Sequence, residues 1–278
     1  MRTPTHARYK NFAHLFALTS ATALLLTACG SGGSSGTGAQ GVAAANDKIP
    51  TTDVISAIRK DDAAARLLPS GTTGLTVAVT VGGTPPGTAY LPDSKTLTGQ
   101  DVDFTKAVAK VLGIRLKIEQ ASFEAILPAL DSGKYDFGAA NFGVTDERRK
   151  TIDFVTYIND GQGFATRADS KLSKITDLRQ LCGLNVATAV GEKAYTVQTY
   201  GEQSAIWSSV QQGLKFLNEY HRLDVGFAFK KGTELAPAFQ SAVNRLIADG
   251  TYTKILKKWG TTASAIPKSQ ISPPELKN

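Results

Sequence analysis

The sequence predicts an α/β protein: a parallel sheet covered by helices, drawn out into two lobes around a cleft. Three observations carry this. Apolar residues alternate at Leu75, Val77, Val79 and Val81 and again at Ile114, Leu116 and Ile118; stretches of helical spacing separate these runs; and residues 155–167 form a glycine-punctuated, β-leaning crossing. Extended crossings between lobes make a hinge that closes when one ligand touches both faces.

In chain order, residues 53–68 place Val54, Ile55, Ile58, Leu67 and Leu68 around a charged RKDD and predict a helix lying on the first lobe. The strand at Leu75 is broken by residues 82–87 with Pro85 and Pro86. In DVDFTKAVAKVLG, Phe104, Ala107, Val108, Val111 and Leu112 share one helical face, Asp101 is the expected N-cap, and Gly113 ends the helix. After the second strand, Ser122 caps a helix showing Phe123, Ile126, Leu127 and Leu130, Gly133 stops it, and residues 135–139 form a third strand. A βαβαβ order places ligands at the carboxyl ends of the strands, here the loops 82–90 and 140–145. Further on, residues 184–190 read as a strand, Ile206, Val210, Leu214 and Leu217 as a helix, residues 226–229 as a returning strand, and residues 235–247 and 252–259 as amphipathic helices.

The stretch GKYDFGAANFGVTDERRKTIDF, residues 133–154, carries the most chemistry. Its strand delivers Asn141, Phe142 and Gly143 to a loop beside the unpaired N–H groups of a helix opening at Thr145, and Arg148 adds a cation. An arginine fork matches a carboxylate and strengthens when desolvated. A solvated charge run is the alternative for Arg148 and the better account of Arg149 and Lys150. Thr145 is an N-cap, a ligand group, or both in turn.

Taken in order, GQDVDFTKAVAKVLG, the YDFGAANFGVTDERRK run and DGTYTKILKKWG resemble the solute-binding proteins of polar amino-acid ABC importers, family 3. The resemblance implies a periplasmic-binding-protein-like fold of type II and an importer permease that reads closure. It assigns Arg148 to the ligand α-carboxylate, with Gly143, Thr145 and Asn141 beside it and Phe142 on the wall. It also implies an aromatic sandwich for the ligand side chain, reduced here to Thr84 and Gly87 flanking the prolines, with Tyr90 in reserve, and Gln100 where an aromatic usually stands. The family's second-lobe turn and its later ammonium-binding Asp are missing: after Gly191 come Glu192 and Lys193, and a βαβ unit needs roughly 30 residues before the chain must already be returning at Gly226. The second lobe is therefore expected to be truncated. Glu219 and Asp224 are the acids left for an ammonium, against the plainer reading of a solvated helix end.

At the start, Arg2, Arg8 and Lys10 precede an apolar run, residues 12–26, and Leu26-Thr27-Ala28-Cys29, the pattern of a lipoprotein leader with Cys29 as the lipidated residue. A Gly/Ser/Ala tether follows. The expected organisation is leader 1–28, tether 29–48, first lobe 49–162, shortened second lobe 163–223, and return with C-terminal helices 224–278. Removing the leader's three cations lowers the formal charge from +7 to +4, and without a basic run interleaved with aromatics nucleic-acid binding is excluded. Cys182 then has no partner and reads as a small buried thiol.

The function these readings converge on is a lipid-anchored, extracytoplasmic, monomeric binding protein that delivers a small polar ligand, an amino acid, to an ABC permease, with no cofactor. A non-transporting paralogue acting as a surface interaction or sensory protein is the alternative. A dehydratase-like enzyme is disfavoured, because Glu124, Asp146 and Glu147 fall on helix surfaces or first turns and His221 is the one histidine beyond the leader.

Overall fold

The computed structural model describes residues 49–81, 85–186, 197–198 and 213–277. Its centre is a six-stranded mixed sheet, β4-β1-β5-β8-β6-β7, built from β1 (Gly74–Thr80), β4 (Arg115–Ala121), β5 (Phe137–Gly143), β6 (Ile152–Arg167), β7 (Val197–Gln198) and β8 (Leu214–Lys230). A small hairpin, β2 (Ala89–Tyr90) with β3 (Leu97–Thr98), stands apart from it. β1 runs parallel to β4 and β5, with Val77 opposite both Ile118 and Phe137. The expected βαβαβ order is therefore present, its helices being α2 (Gln100–Leu112) and α3 (Phe123–Asp131).

Both faces of this parallel half are covered, as crossover helices require. Val77 and Val79 point to a core with Phe104, Val108 and Leu112 of α2, Phe239 and Val243 of α4 (Ala236–Ala248) and Ile255 and Leu256 of α5 (Thr251–Trp259). Ala78 points the other way, to Ile126, Leu130, Phe142 and Phe154. Phe137 is ringed by Phe227, Phe229 and Phe239 at centroid distances of 4.9 to 5.9 Å. Gly113, at φ +68°, closes α2 in the left-handed conformation that glycine adopts freely. A buried contact ties α5 back to α2: Asp103 Oδ2 accepts from Lys258 Nζ and Trp259 Nε1, each at 2.8 Å.

β6 and β8 form one long antiparallel ribbon from Ile152 opposite Lys230 to Arg167 opposite Leu214, with irregular register at Thr156/Ile158, Gln162/Gly163 and Phe164/Ala165. Residues 223–229 of β8 are buried, whereas most of 214–222 is only half-buried. Segment 168–186 folds onto this outer part. Asn218 holds it through both amide arms, Oδ1 accepting from Ile175 N at 2.8 Å and Nδ2 donating to Ile175 O at 3.0 Å.

Several expectations are corrected. The helix over residues 53–68 is a single turn, α1 (Asp62–Ala65), because the Asp53 carboxylate accepts from Ile55 N and Ser56 N and folds that stretch as a side-chain-capped turn. Asp101 does not cap α2: Gly99 is the N-cap, and Asp101 is buried within the helix. β5 extends to Gly143, so Asn141, Phe142 and Gly143 are strand rather than loop residues. The helix expected behind Thr145 is one 3-10 turn, Arg148–Lys150. Leu214 and Leu217, read at helical spacing, belong to β8, whose partner lies some fifty residues away in sequence; the rest of that expected helix lies outside the described residues. Residues 184–186 are not strand, and 187–190 lie outside the described residues. Cys182 is exposed, not buried.

Candidate functional site

β5 is buried along its whole length and ends at Gly143, where it leaves the covered sheet. The turn that follows is short because Thr145 Oγ1 accepts from Arg148 N at 3.1 Å and Thr145 O from Arg149 N at 3.0 Å. Arg148 is thereby returned over the strand end, its Nη1 donating to Gly143 O at 3.0 Å and its guanidinium lying 5.6 Å from the Phe123 ring centre. Phe123 packs in turn against Phe142, tilted by 30° at a centroid distance of 4.9 Å. An aromatic floor and a backbone carbonyl thus orient the cation. A Cβ at Gly143 would meet Leu223 Cδ1 at 2.9 Å and Arg148 Nη1 at 3.7 Å, so a larger residue there would require the leucine side chain to shift.

Arg148 and Gly143 line a small cleft together with Asn141, Asp160, Gly161 and Gln162, closed by Leu223 and Val225. Asn141 occupies it in a left-handed conformation, φ +52°, which asparagine tolerates better than most residues. Its Nδ2 donates to Asp160 Oδ2 at 3.0 Å, and Asp160 Oδ1 accepts from Gly161 N at 2.8 Å. Behind it, the Asp101 carboxylate accepts from the Asn141 backbone N–H and from the Tyr157 hydroxyl, the latter at 2.8 Å. Asp101 is 1% exposed. Burial pushes its pKa up to about 6, against the opposing pull of those two donors.

Of the residues singled out in the sequence, the structure gathers Arg148, Gly143 and Asn141 around this cleft, with Thr145 setting the turn. Phe142 is wholly buried beneath it. Tyr90 is placed elsewhere, its hydroxyl donating to Gln120 Oε1 at 2.6 Å on β4. Thr84 and Cys29 lie outside the described residues. Gln100 is buried against Thr261. Glu219 is paired with Arg222 at 3.0 Å and Asp224 accepts from Asn159 Nδ2 at 3.0 Å, and neither lines the cleft. Asp160 and Gln162 were not foreseen. Their signal was an acid and an amide flanking a glycine in the crossing segment INDGQG, which only the ribbon's pairing brings beside Arg148.

Comparison with known proteins agrees with this architecture. Residues 75–262 match the bacterial extracellular solute-binding proteins, family 3. The arginine-binding protein ArgT of Corynebacterium glutamicum is 25% identical, with 63% of this chain and 71% of the relative aligned. The L-cystine-binding protein TcyJ of Escherichia coli K12 is 26% identical over 66% of this chain and 82% of its own. Among solved structures, an ancestral arginine-binding protein bound to arginine superimposes with a TM-score of 0.59 at 26% identity, covering 67% of this chain and 97% of that one. These relatives are binding proteins.

Proposed function

The chain belongs to the bacterial extracellular solute-binding proteins, family 3, and on that premise we propose that it is a lipid-anchored receptor that captures an amino acid outside the cytoplasm and presents it to an ABC permease. The single observation that carries the reading is Arg148, laid over Phe123 at the end of β5 and bonded there to Gly143 O. A guanidinium has five N–H donors in a fixed fork. Nη1 uses one on Gly143 O and is held in place by it, so the ligand carboxylate meets a preorganised cation. Cys29 supplies the anchor and residues 30–48 the tether in this reading.

Residues 49–162 form the first lobe, 163–223 the shortened second lobe and 224–278 the return. The β6/β8 ribbon is the hinge: its ladder is irregular at Gln162/Gly163, beside the cleft, where a change of backbone angle costs few paired hydrogen bonds. Closure over the ligand would desolvate Arg148 and its carboxylate together and so strengthen the pair.

The test is a thermal-shift titration of the purified full chain against the twenty L-amino acids, L-cystine and simple carboxylates. A ligand at a hundred times its Kd adds about 2.7 kcal/mol of stability, and Arg148→Ala should weaken binding at least about 30-fold. A folded chain that responds to none of these compounds would refute the proposal.

A further inference from the structure

A second cavity, of about 350 Å³ and sharing no residue with the cleft, lies between the N-terminal segment, the β2/β3 hairpin and one face of α2. That volume falls within the range of small-molecule sites. Val54, Leu91 and Leu97, all packed on the main core, make its wall largely apolar, and three lysines reach it, Lys106 and Lys110 of α2 and Lys258 of α5. Lys258 is committed: its side chain is 7% exposed, and its Nζ donates at 2.8 Å to Asp103 Oδ2, which Trp259 Nε1 also meets at 2.8 Å. The other acid of the lining, Asp53, uses Oδ1 on Ile55 N and Ser56 N and offsets part of the charge of Lys110. One positive charge is left over. Lys106 and Lys110 stand one helical turn apart, where like charges repel. Both are nevertheless anchored to the cavity, Lys106 Nζ donating to Leu97 O at 3.4 Å and Lys110 Nζ to Ser56 O at 3.1 Å, on different walls. An ammonium has three N–H donors, and a single carbonyl occupies one of them.

We propose that this cavity is a second ligand site, for an organic phosphate whose anionic head sits between Lys106 and Lys110 and whose apolar body lies on Val54, Leu91 and Leu97. An anion between the two lysines replaces their mutual repulsion with two attractions. The head is assigned to phosphate rather than carboxylate because the cations are lysines, compact point charges on flexible stems, with no arginine fork to match a planar carboxylate. Asp103 does not oppose it, since Lys258 and Trp259 already satisfy that carboxylate. A free phosphomonoester and a phospholipid headgroup share this chemistry. The site goes beyond the functional reading above and does not rest on the role of Arg148.

The experiment is calorimetric titration of the full chain with inorganic phosphate, hexyl phosphate and monomeric dihexanoyl phosphatidic acid. Hexyl phosphate should bind at least about tenfold more tightly than inorganic phosphate, because its methylenes leave water for the apolar wall. Lys106→Gln and Lys110→Gln should each weaken that binding about tenfold or more, whereas Arg148→Ala should leave it unchanged. Lys110 is exposed, so its variant keeps the fold and stands in if Lys106→Gln does not. Tighter binding of the single-chain ester identifies a free phosphomonoester as the occupant, and tighter binding of the two-chain compound a lipid headgroup; either upholds the site. No binding of either ester, equal affinity for hexyl and inorganic phosphate, or a loss that follows Arg148 rather than the two lysines overturns it, and each of these results leaves the functional reading standing.

Discussion

The parallel half of the sheet and the β6/β8 ribbon are held by different forces. In the former, β1 and β5 are covered on both faces and α2, α4 and α5 interlock through Phe104, Phe239, Val243 and Ile255. In the latter, only the inner part shares that core, and the outer part is kept by its backbone ladder and by polar clips such as Asn218 on Ile175 and Arg222 on Asn159, whose Nε–Oδ1 distance is 2.6 Å. The candidate site lies where the two meet. The rigid half aims Arg148; the less buried half contributes Asp160 and Gln162. On the proposed reading, a receptor that grips and then moves draws one wall of its cleft from each.

Emptying the aromatic centre should break this contrast most deeply. Phe137→Ala removes a fully buried ring packed on three others, and urea unfolding should show a loss of about 3–5 kcal/mol. Phe216→Ala, half-buried on the outer ribbon, should cost less than half as much; equal losses would erase the distinction.

Asp101 sharpens the comparison by pH. Burial raises its carboxyl to about 6 in the fold from an ordinary value of 3.8, so between those values the native state binds the proton that the unfolded chain has released. Stability from this group therefore falls as pH rises from about 4 to about 6, by about 3 kcal/mol in all. Comparing Tm against pH for wild type and Asp101→Asn isolates it from the other carboxylates: the variant should gain on wild type as pH rises through that window. A constant difference between the two curves would contradict the burial-driven shift.

The smallest effect is expected furthest from the core. Asn218→Ala removes both arms that hold Ile175, worth about 1–3 kcal/mol, and the loss should be local, seen as faster amide exchange across residues 168–186 with the amides of β1 and β5 unchanged. Uniformly faster exchange would mean that the outer segment and the core open as one unit.

How much of this was legible follows the same divide. β1, α2, β4, α3, α4 and α5 declare themselves by periods of two or 3.6 because each turns one regular apolar face to the shared cores. β8 did not: Leu214 and Leu217 keep helical spacing, and only pairing with β6 makes them strand. Asp101 read as a cap because its true partner, Tyr157, is 56 residues away. The helix expected over residues 53–68 gave way to local side-chain chemistry at Asp53. At the site, Arg148 and Gly143 were visible in a contiguous motif, whereas Asp160 reaches the cleft through a strand whose pairing partner, Leu223, is distant in sequence.

The outer edge of β6 is shared by two short guests, β7 at Gln162 and Gly163 and the C-terminal segment at residues 154–156. There, Thr156 N donates to Gln270 O at 3.0 Å, Ser272 N to Phe154 O at 2.9 Å, and Ser269 Oγ to Thr156 O at 2.6 Å. Glu275 continues the line to the Arg148 turn, its Oε2 accepting from Asp146 N at 2.9 Å. Trimming the chain before residue 269 would bare a row of strand amides and carbonyls of the kind that recruits other polypeptides into aggregates. Replacing Glu275 by alanine would loosen, from more than a hundred residues away, the turn that aims the arginine.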